Sequence, residues 1–171
     1  MAKWRRLLLP AALLAAVIAL GLWYTRPLDL YGLGLEQTPD DISVTIRRSE
    51  GGTADSAQRS LRLVRREAGF DSLLQQLEGL SFRRSPLEPL LRVVPGLAEL
   101  GSQSAAVEGQ AYQIIVSLAA GESGSWDFTL QYSPHGWRYG TQGRPAELPL
   151  YPAGPDPALA LGDALWALAA E

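Results

Sequence analysis

The sequence contains no cysteine and no asparagine, and its single histidine is His135. Without cysteine the protein has no disulfide, no thiolate metal ligand and no cysteine nucleophile. It also has no residue for the lipid attachment of a bacterial lipoprotein, and without asparagine no N-glycosylation acceptor. One histidine leaves a zinc site short of its usual ligands. We therefore expect no metal and no cofactor.

The familiar catalytic patterns are absent from the sequence as well. The single lysine, Lys3, lies at the N-terminus, so a phosphate-binding P-loop cannot form. A G-x-S-x-G nucleophile elbow is missing. His135 stands in a Pro-Gly turn, where a solvent-exposed role is expected. The acids that remain for a hydrolytic carboxylate pair have no spacing that selects two of them; they are Glu67, Asp71, Glu122, Asp127 and Glu147. The sequence predicts a protein that is not an enzyme.

Charge is distributed unevenly along the chain. Residues 1–26 carry four basic residues and no acid, whereas residues 27–171 carry 11 arginines against 18 acidic residues. A domain with this acidic excess is not expected to bind nucleic acid.

An apolar run without charge occupies residues 7–24. Its 18 residues would form a helix of about 27 Å, close to the hydrocarbon thickness of a bilayer. Trp4, Trp23 and Tyr24 stand at its ends, where amphipathic rings favour the headgroup region. Because basic residues precede the run, the positive-inside bias places the N-terminus in the cytoplasm. We expect a cytoplasmic end at 1–6 and a transmembrane signal-anchor helix at 7–24, with the remainder outside the cell membrane.

Two other interpretations of this run stay open. A cleaved signal peptide would give a secreted protein, although the best pair of small residues for cleavage, Ala19 and Gly21, lies inside the apolar run. A buried helix of the core is the second.

Residues 25–41 contain two prolines and two glycines without periodicity and predict a juxtamembrane linker before an extracytoplasmic domain at 42–171. Helical spacing predicts helices at 70–77 and 156–168, and a weaker one at 90–97. Alternation predicts strands at 42–46, 61–63, 80–83, 112–118, 126–132, 137–139 and 148–150. This order predicts an α+β fold, with a mainly antiparallel sheet and helices packed on one face.

The residues of opposite parity in these strands would share the uncovered face of the sheet. They include Asp127, Thr129 and Gln131, together with the candidate binding residues Arg47, Arg62, Arg83 and Arg138. Several guanidinium groups on one face would bind carboxylate or phosphate on a protein partner, an anionic envelope polymer or a lipid headgroup. The alternative is an ordinary solvated face with cross-strand Arg–Asp pairs.

These features predict a membrane-anchored, non-enzymatic binding or accessory protein of the bacterial cell envelope. One alternative is an envelope hydrolase that uses a carboxylate pair. Another is a small subunit of a membrane complex, whose helix would pair with other helices through small residues spaced about four apart. These are Ala11, Ala12, Ala15, Ala16 and Ala19.

Overall fold

The computed structural model describes residues 2–49, 56–86, 88, 112–121, 126–133, 136–142 and 148–170. The α+β class and the antiparallel sheet predicted from the sequence are confirmed. The helices are α1 (Ala2–Tyr24), α2 (Leu30–Leu33), α3 (Phe70–Glu78) and α4 (Ala158–Leu168). The strands are β1 (Asp41–Ser49), β2 (Ser56–Val64), β3 (Phe82–Arg84), β4 (Tyr112–Ala119), β5 (Phe128–Ser133), β6 (Gly136–Thr141) and β7 (Leu148–Pro152).

The seven strands form one sheet in the order β2-β1-β4-β5-β6-β7-β3. Every neighbouring pair is antiparallel. Strands β4 to β7 are consecutive neighbours, whereas β3 crosses to the far edge and pairs with β7. Alternation fixes the face of each residue; Ile42, Val44 and Ile46 of β1 are each 0% exposed.

Helices α2, α3 and α4 cover the same face of the sheet. Their buried residues join the inward-facing strand residues in one apolar cluster. In α3 the buried positions follow the i, i+3, i+4, i+7 spacing of one helix face; they are Phe70, Leu73, Leu74 and Leu77. Among the described residues, the other face of the sheet carries none of this cluster, and we call it the open face.

Trp137 is buried in the core and is linked by a hydrogen bond to the start of α4. Its ring centroid is 5.1 Å from that of Phe82 and 5.0 Å from that of Tyr132. Its indole N–H donates to Asp156 Oδ1 at 2.9 Å, and the same oxygen accepts from the N–H of Ala158 at 3.0 Å. Asp156 therefore satisfies a free N–H at the helix start and connects α4 to β6.

The folded domain begins earlier than the sequence pattern suggests. Leu30, Leu33 and Leu35, which fall in the predicted linker at 25–41, are only 1–2% exposed and belong to the core. Leu28 also pairs with Phe82 of β3 in an antiparallel bridge. The two glycines of this segment belong to α2 and its end. Asp29 Oδ1 accepts from the N–H of Gly32 at 2.8 Å, and Gly34 ends α2 at φ +128°.

Residues 2–24 form one helix, and its described side chains begin at Pro10. The large apolar side chains from Leu13 to Trp23 are between 53% and 69% exposed. Within the part of the chain that the structure describes, no helix is both long and apolar enough to cross a membrane. The predicted helix at 90–97 lies outside the described residues.

Candidate functional site

The four candidate arginines all lie on the open face of the sheet, at strand positions opposite in parity to the core residues. Arg62 lies on β2 and Arg47 on β1, while Arg138 lies on β6 and Arg83 on β3. The sequence periodicity placed these residues on a common face, and the register of the sheet agrees with it.

The register also sets how far apart these arginines are. Arg62 pairs with Ser43 of β1. Ser43 is four residues from Arg47, so Arg62 and Arg47 are about 13 Å apart along the strand direction, at 3.3 Å per residue. Arg138 is three strands from β1, about 14 Å at 4.8 Å per strand. The whole sheet from β2 to β3 is about 29 Å wide. The guanidinium groups are therefore distributed over the face and do not converge on one small anion.

Arg62 is held by a carboxylate on the neighbouring strand. Its Nε donates to Asp41 Oδ2 at 2.9 Å, and its Nη2 donates to the same oxygen. These hydrogen bonds and the attraction of the Asp41 charge raise the pKa of Arg62 above its ordinary value. This is the cross-strand Arg–Asp pair that the alternative interpretation of the open face predicts, so Asp41 offsets much of the charge of Arg62.

The other three arginines of the face have different surroundings. Arg47 donates from Nη2 to the amide oxygen of Gln58 at 3.2 Å and is exposed. Arg138 is half-buried and pairs with Gln131 on β5. Arg83 is exposed and pairs with Tyr151, itself 55% exposed, on β7. The neutral amide of Gln58 positions the guanidinium of Arg47 while leaving it charged, whereas Gln131 and Tyr151 are the strand-register neighbours of Arg138 and Arg83.

The strand residues of the open face have a charge opposite to that of the domain. Asp41 is their one acid among the described strands, against the four arginines. Residues 27–171 as a whole carry 18 acids and 11 arginines. Between the arginines lie hydroxyl and amide side chains, including Thr45, Ser117, Thr129 and Gln131, and the exposed Ile115. Such a face suits an extended anionic chain that contacts several positive points.

Three of the carboxylates considered for hydrolysis lie in the described structure, each in a different local setting. Glu67 Oε2 accepts from the N–H of Val64 at 2.8 Å in the turn after β2, and Asp71 lies in the first turn of α3. Asp127 Oδ2 accepts from the N–H of Ala120 at 2.6 Å and fixes the β4–β5 connection. Glu122, Glu147 and His135 lie outside the described residues. Among the residues that the structure does describe, no three acidic or histidine side chains are grouped to hold a metal ion.

Glu88 is the one acidic residue among those described that is fully buried. The hydroxyl of Tyr139 donates to its Oε1 at 2.8 Å, and Arg84 Nε lies 4.0 Å from Oε2. A buried carboxylate needs such partners because an isolated charge is strongly destabilising in the core. The three residues connect β3 and β6 to the segment after β3.

On the helical side of the sheet, the indole of Trp166 lies close to two arginines. Arg59 Cζ lies 4.2 Å and Arg48 Cζ 5.9 Å from its ring centroid, within cation–π range. Arg59 also donates to the carbonyl of Trp166 at 2.7 Å, where α4 leaves its last carbonyls without helical partners. The sequence analysis did not identify this cluster. The one indication in the sequence was that both arginines occupy strand positions with the same parity as the core residues, near the ends of their strands.

A groove of about 250 Å³ lies between α3 and α4. Ser72 and Gln76 supply its polar side chains, and Leu73, Leu165 and Leu168 its larger apolar ones. Its lining includes no titratable side chain, so the groove offers no acid or base. The open face remains the surface with the most distinctive chemistry.

Comparison of the chain with protein-family models, with curated proteins and with solved structures finds no match. The proposed function therefore rests on the residues of α1 and of the open face alone.

Proposed function

We propose that this protein is a membrane-anchored binding module of the bacterial cell envelope, in which α1 is the anchor and the open face of the sheet binds an extended anionic partner. The observation that carries the proposal is the contrast in charge. An acidic domain presents four arginines and, among its described strand residues, a single aspartate on the open face of the sheet.

The anchor is supported by the sequence of α1 and by the exposure of its side chains. The uncharged run at 7–24 extends three residues beyond the described side chains, which begin at Pro10. A helix of the core buries one face, whereas α1 exposes large apolar residues on all sides. These include Leu13, Leu14, Val17, Ile18, Leu20 and Leu22. A bilayer would bury them all, with the basic N-terminus in the cytoplasm and the domain outside.

The binding chemistry follows from the spacing of the arginines. Guanidinium groups bind carboxylate and phosphate through paired N–H donors. Because neighbouring guanidinium groups are about 10–15 Å apart on the sheet, one small anion would contact one of them, whereas a polymer or an acidic protein segment would contact several. An anionic envelope polymer and an acidic segment of an envelope protein are the two partners with this chemistry.

Binding of two model polyanions, polyphosphate and polyglutamate, tests the proposal. The full chain in lipid nanodiscs should bind at least one of them, with an affinity that falls as salt is added. Replacing Arg47 and Arg138 with glutamine should weaken this binding about tenfold or more, since each lost charged contact removes about 1 kcal/mol. The matched control replaces Arg65 and Arg66, which follow β2 and lie outside the open face, and should bind as the unaltered chain does. Equal binding by the two double variants would contradict the proposal.

A further inference from the structure

We propose that the sheet edge at β3 lies against the membrane surface and that Arg26 and Arg83 contact phosphate groups of anionic lipids there. This inference rests on the proposed anchor. It concerns the side of the domain nearest α1, where Arg83 lies at the edge of the open face, and it leaves Arg47, Arg62 and Arg138 for the anionic partner.

The joint between α1 and the domain is short. Thr25 continues the helix, because its N–H and its hydroxyl both donate to the carbonyl of Gly21, at 3.0 and 2.9 Å. Leu28 is already part of the domain, since it exchanges two backbone hydrogen bonds with Phe82, at 2.8 and 2.9 Å. Only Arg26 and Pro27 lie between these points. Proline restricts φ, and three residue steps span at most about 11 Å, so the domain cannot move away from the helix end.

A second contact holds β3 close to the same helix end. Arg84 donates from Nη2 to the carbonyl of Gly32 at 2.8 Å, and its Cζ lies 6.0 Å from the centroid of the Tyr24 ring. Helix α2, which follows Leu28, is fixed to the core by its buried residues Leu30 and Leu33. The joint thus determines which edge of the domain meets the bilayer, and that edge is β3.

The residues at this edge are suited to lipid headgroups. Trp23 and Tyr24 mark the end of the apolar helix, where such rings favour the headgroup layer, which is about 5–8 Å thick. Arg26 is exposed and its Cζ lies 5.3 Å from the Trp23 ring centroid. Arg83 is exposed beside Tyr151.

Two described acids near this edge accept hydrogen bonds from the protein. Asp29 caps α2, and Glu78 accepts the hydroxyl of Tyr31 at 2.7 Å. These hydrogen bonds come from neutral groups and leave the carboxylates charged, so the attraction to the negative potential of anionic lipids rests on the exposed guanidinium groups of Arg26 and Arg83.

Site-directed labelling can test this orientation because the chain has no cysteine. A fluorophore on Ser81→Cys reports on the residue before β3, and one on Ser60→Cys reports on β2, about 29 Å away across the sheet. The full chain is placed in vesicles that contain phosphatidylcholine and phosphatidylglycerol with a headgroup-attached quencher. We expect strong quenching at position 81 and little at position 60. Replacing Arg26 and Arg83 with glutamine should lower quenching at 81 to the level found in phosphatidylcholine alone, whereas replacing Arg65 and Arg66 should not.

The possible failures are distinguishable. A chain that does not float with the vesicles contradicts the proposed anchor. A chain that floats but is quenched equally at both positions contradicts the orientation while the anchor stands. Quenching at position 81 that is insensitive to phosphatidylglycerol and to both arginines contradicts the contact with lipid phosphate.

Discussion

The ring of Tyr112 on β4 packs directly against the backbone of Gly162 in α4. A Cβ added at Gly162 would come within 2.6 Å of Cγ and 2.8 Å of Cε2 of the ring, closer than carbon atoms pack. The hydroxyl of the same tyrosine donates to Asp163 Oδ1. Gly162 and Asp163, which are adjacent in α4, thus contact the ring and the hydroxyl of Tyr112. These two contacts fix where α4 lies on the sheet.

Replacing Gly162 with alanine is therefore expected to destabilise the protein. Alanine favours a helix over glycine by about 1 kcal/mol, but an overpacked contact costs about 1–3 kcal/mol, and here the neighbour is a ring confined between strand and helix. We expect a net loss of about 1–2 kcal/mol, measured as a lower midpoint of urea denaturation. Gly154, where an added Cβ meets nothing within 4 Å, is the matched control and should tolerate alanine. An unchanged or higher midpoint for Gly162→Ala would be inconsistent with this packing.

Alkaline pH should weaken the fold through its tyrosines. Burial and the hydrogen bond to Asp163 raise the pKa of Tyr112 above 10.0, and burial, together with the charge of Asp156, raises that of Tyr132. Their stabilising contribution is complete below pH 10, where the unfolded chain is also protonated. It is lost as the pH rises through the folded-state pKa values, because the unfolded chain has by then released protons that the folded chain retains.

Urea titrations from pH 8 to above pH 10 measure this loss. The free energy of unfolding should fall more steeply with pH in the unaltered chain than in Tyr112→Phe. The free energy of unfolding at pH 8 measures the cost of the hydrogen bond that Tyr112→Phe removes, which lowers stability at every pH. The difference in slope with pH between the two chains then reports the titration of Tyr112 alone. Identical slopes for the two chains would show that Tyr112 does not contribute to the loss of stability at alkaline pH.

Arg59 is expected to matter more for stability than an exposed arginine does. It stacks on Trp166 and donates to the Trp166 carbonyl, where a cation also favours the negative end of the helix dipole. Arg59→Ala should cost about 1–3 kcal/mol, since a hydrogen bond from a charged donor is lost. The control is Arg65→Ala, which breaks an ion pair with Asp40 whose side chains are 59% and 44% exposed and should cost less than about 1 kcal/mol. Equal losses in the two variants would argue against the helix-capping role.

The sequence pattern predicted the strands well because alternation is a local property. The parity of Ile42, Val44 and Ile46, and with it the face of Arg47, follows from two-residue periodicity alone. The distances between the arginines do not, because they depend on the strand order, in which β3 pairs with β7 at the far edge. A reader of the sequence could place Arg47 and Arg138 on one face but could not know that two strands separate β1 from β6.

The cluster at Trp166 and the start of the domain were missed for a related reason. Arg59 and Trp166 are 107 residues apart, so nothing local brings them together. The segment with Leu30, Leu33 and Leu35 contains two glycines and a one-turn helix, which resemble a linker in composition. Only the core that receives these leucines reveals them as part of the domain.

The position of the domain boundary gives the last prediction. A chain of residues 26–171 keeps the Leu28–Phe82 bridge and the three buried leucines, whereas a chain of residues 42–171 loses them all. Loss of a buried leucine side chain costs about 2–5 kcal/mol, and three such losses approach the whole stability of a domain, about 5–15 kcal/mol. We expect cooperative urea unfolding for 26–171 and no cooperative transition for 42–171. In the full chain, Leu33→Ala should lower the midpoint, while Leu22→Ala, at a position 69% exposed on α1, should not. Cooperative unfolding of 42–171 at the midpoint of 26–171 would mean that residues 28–35 are a linker after all.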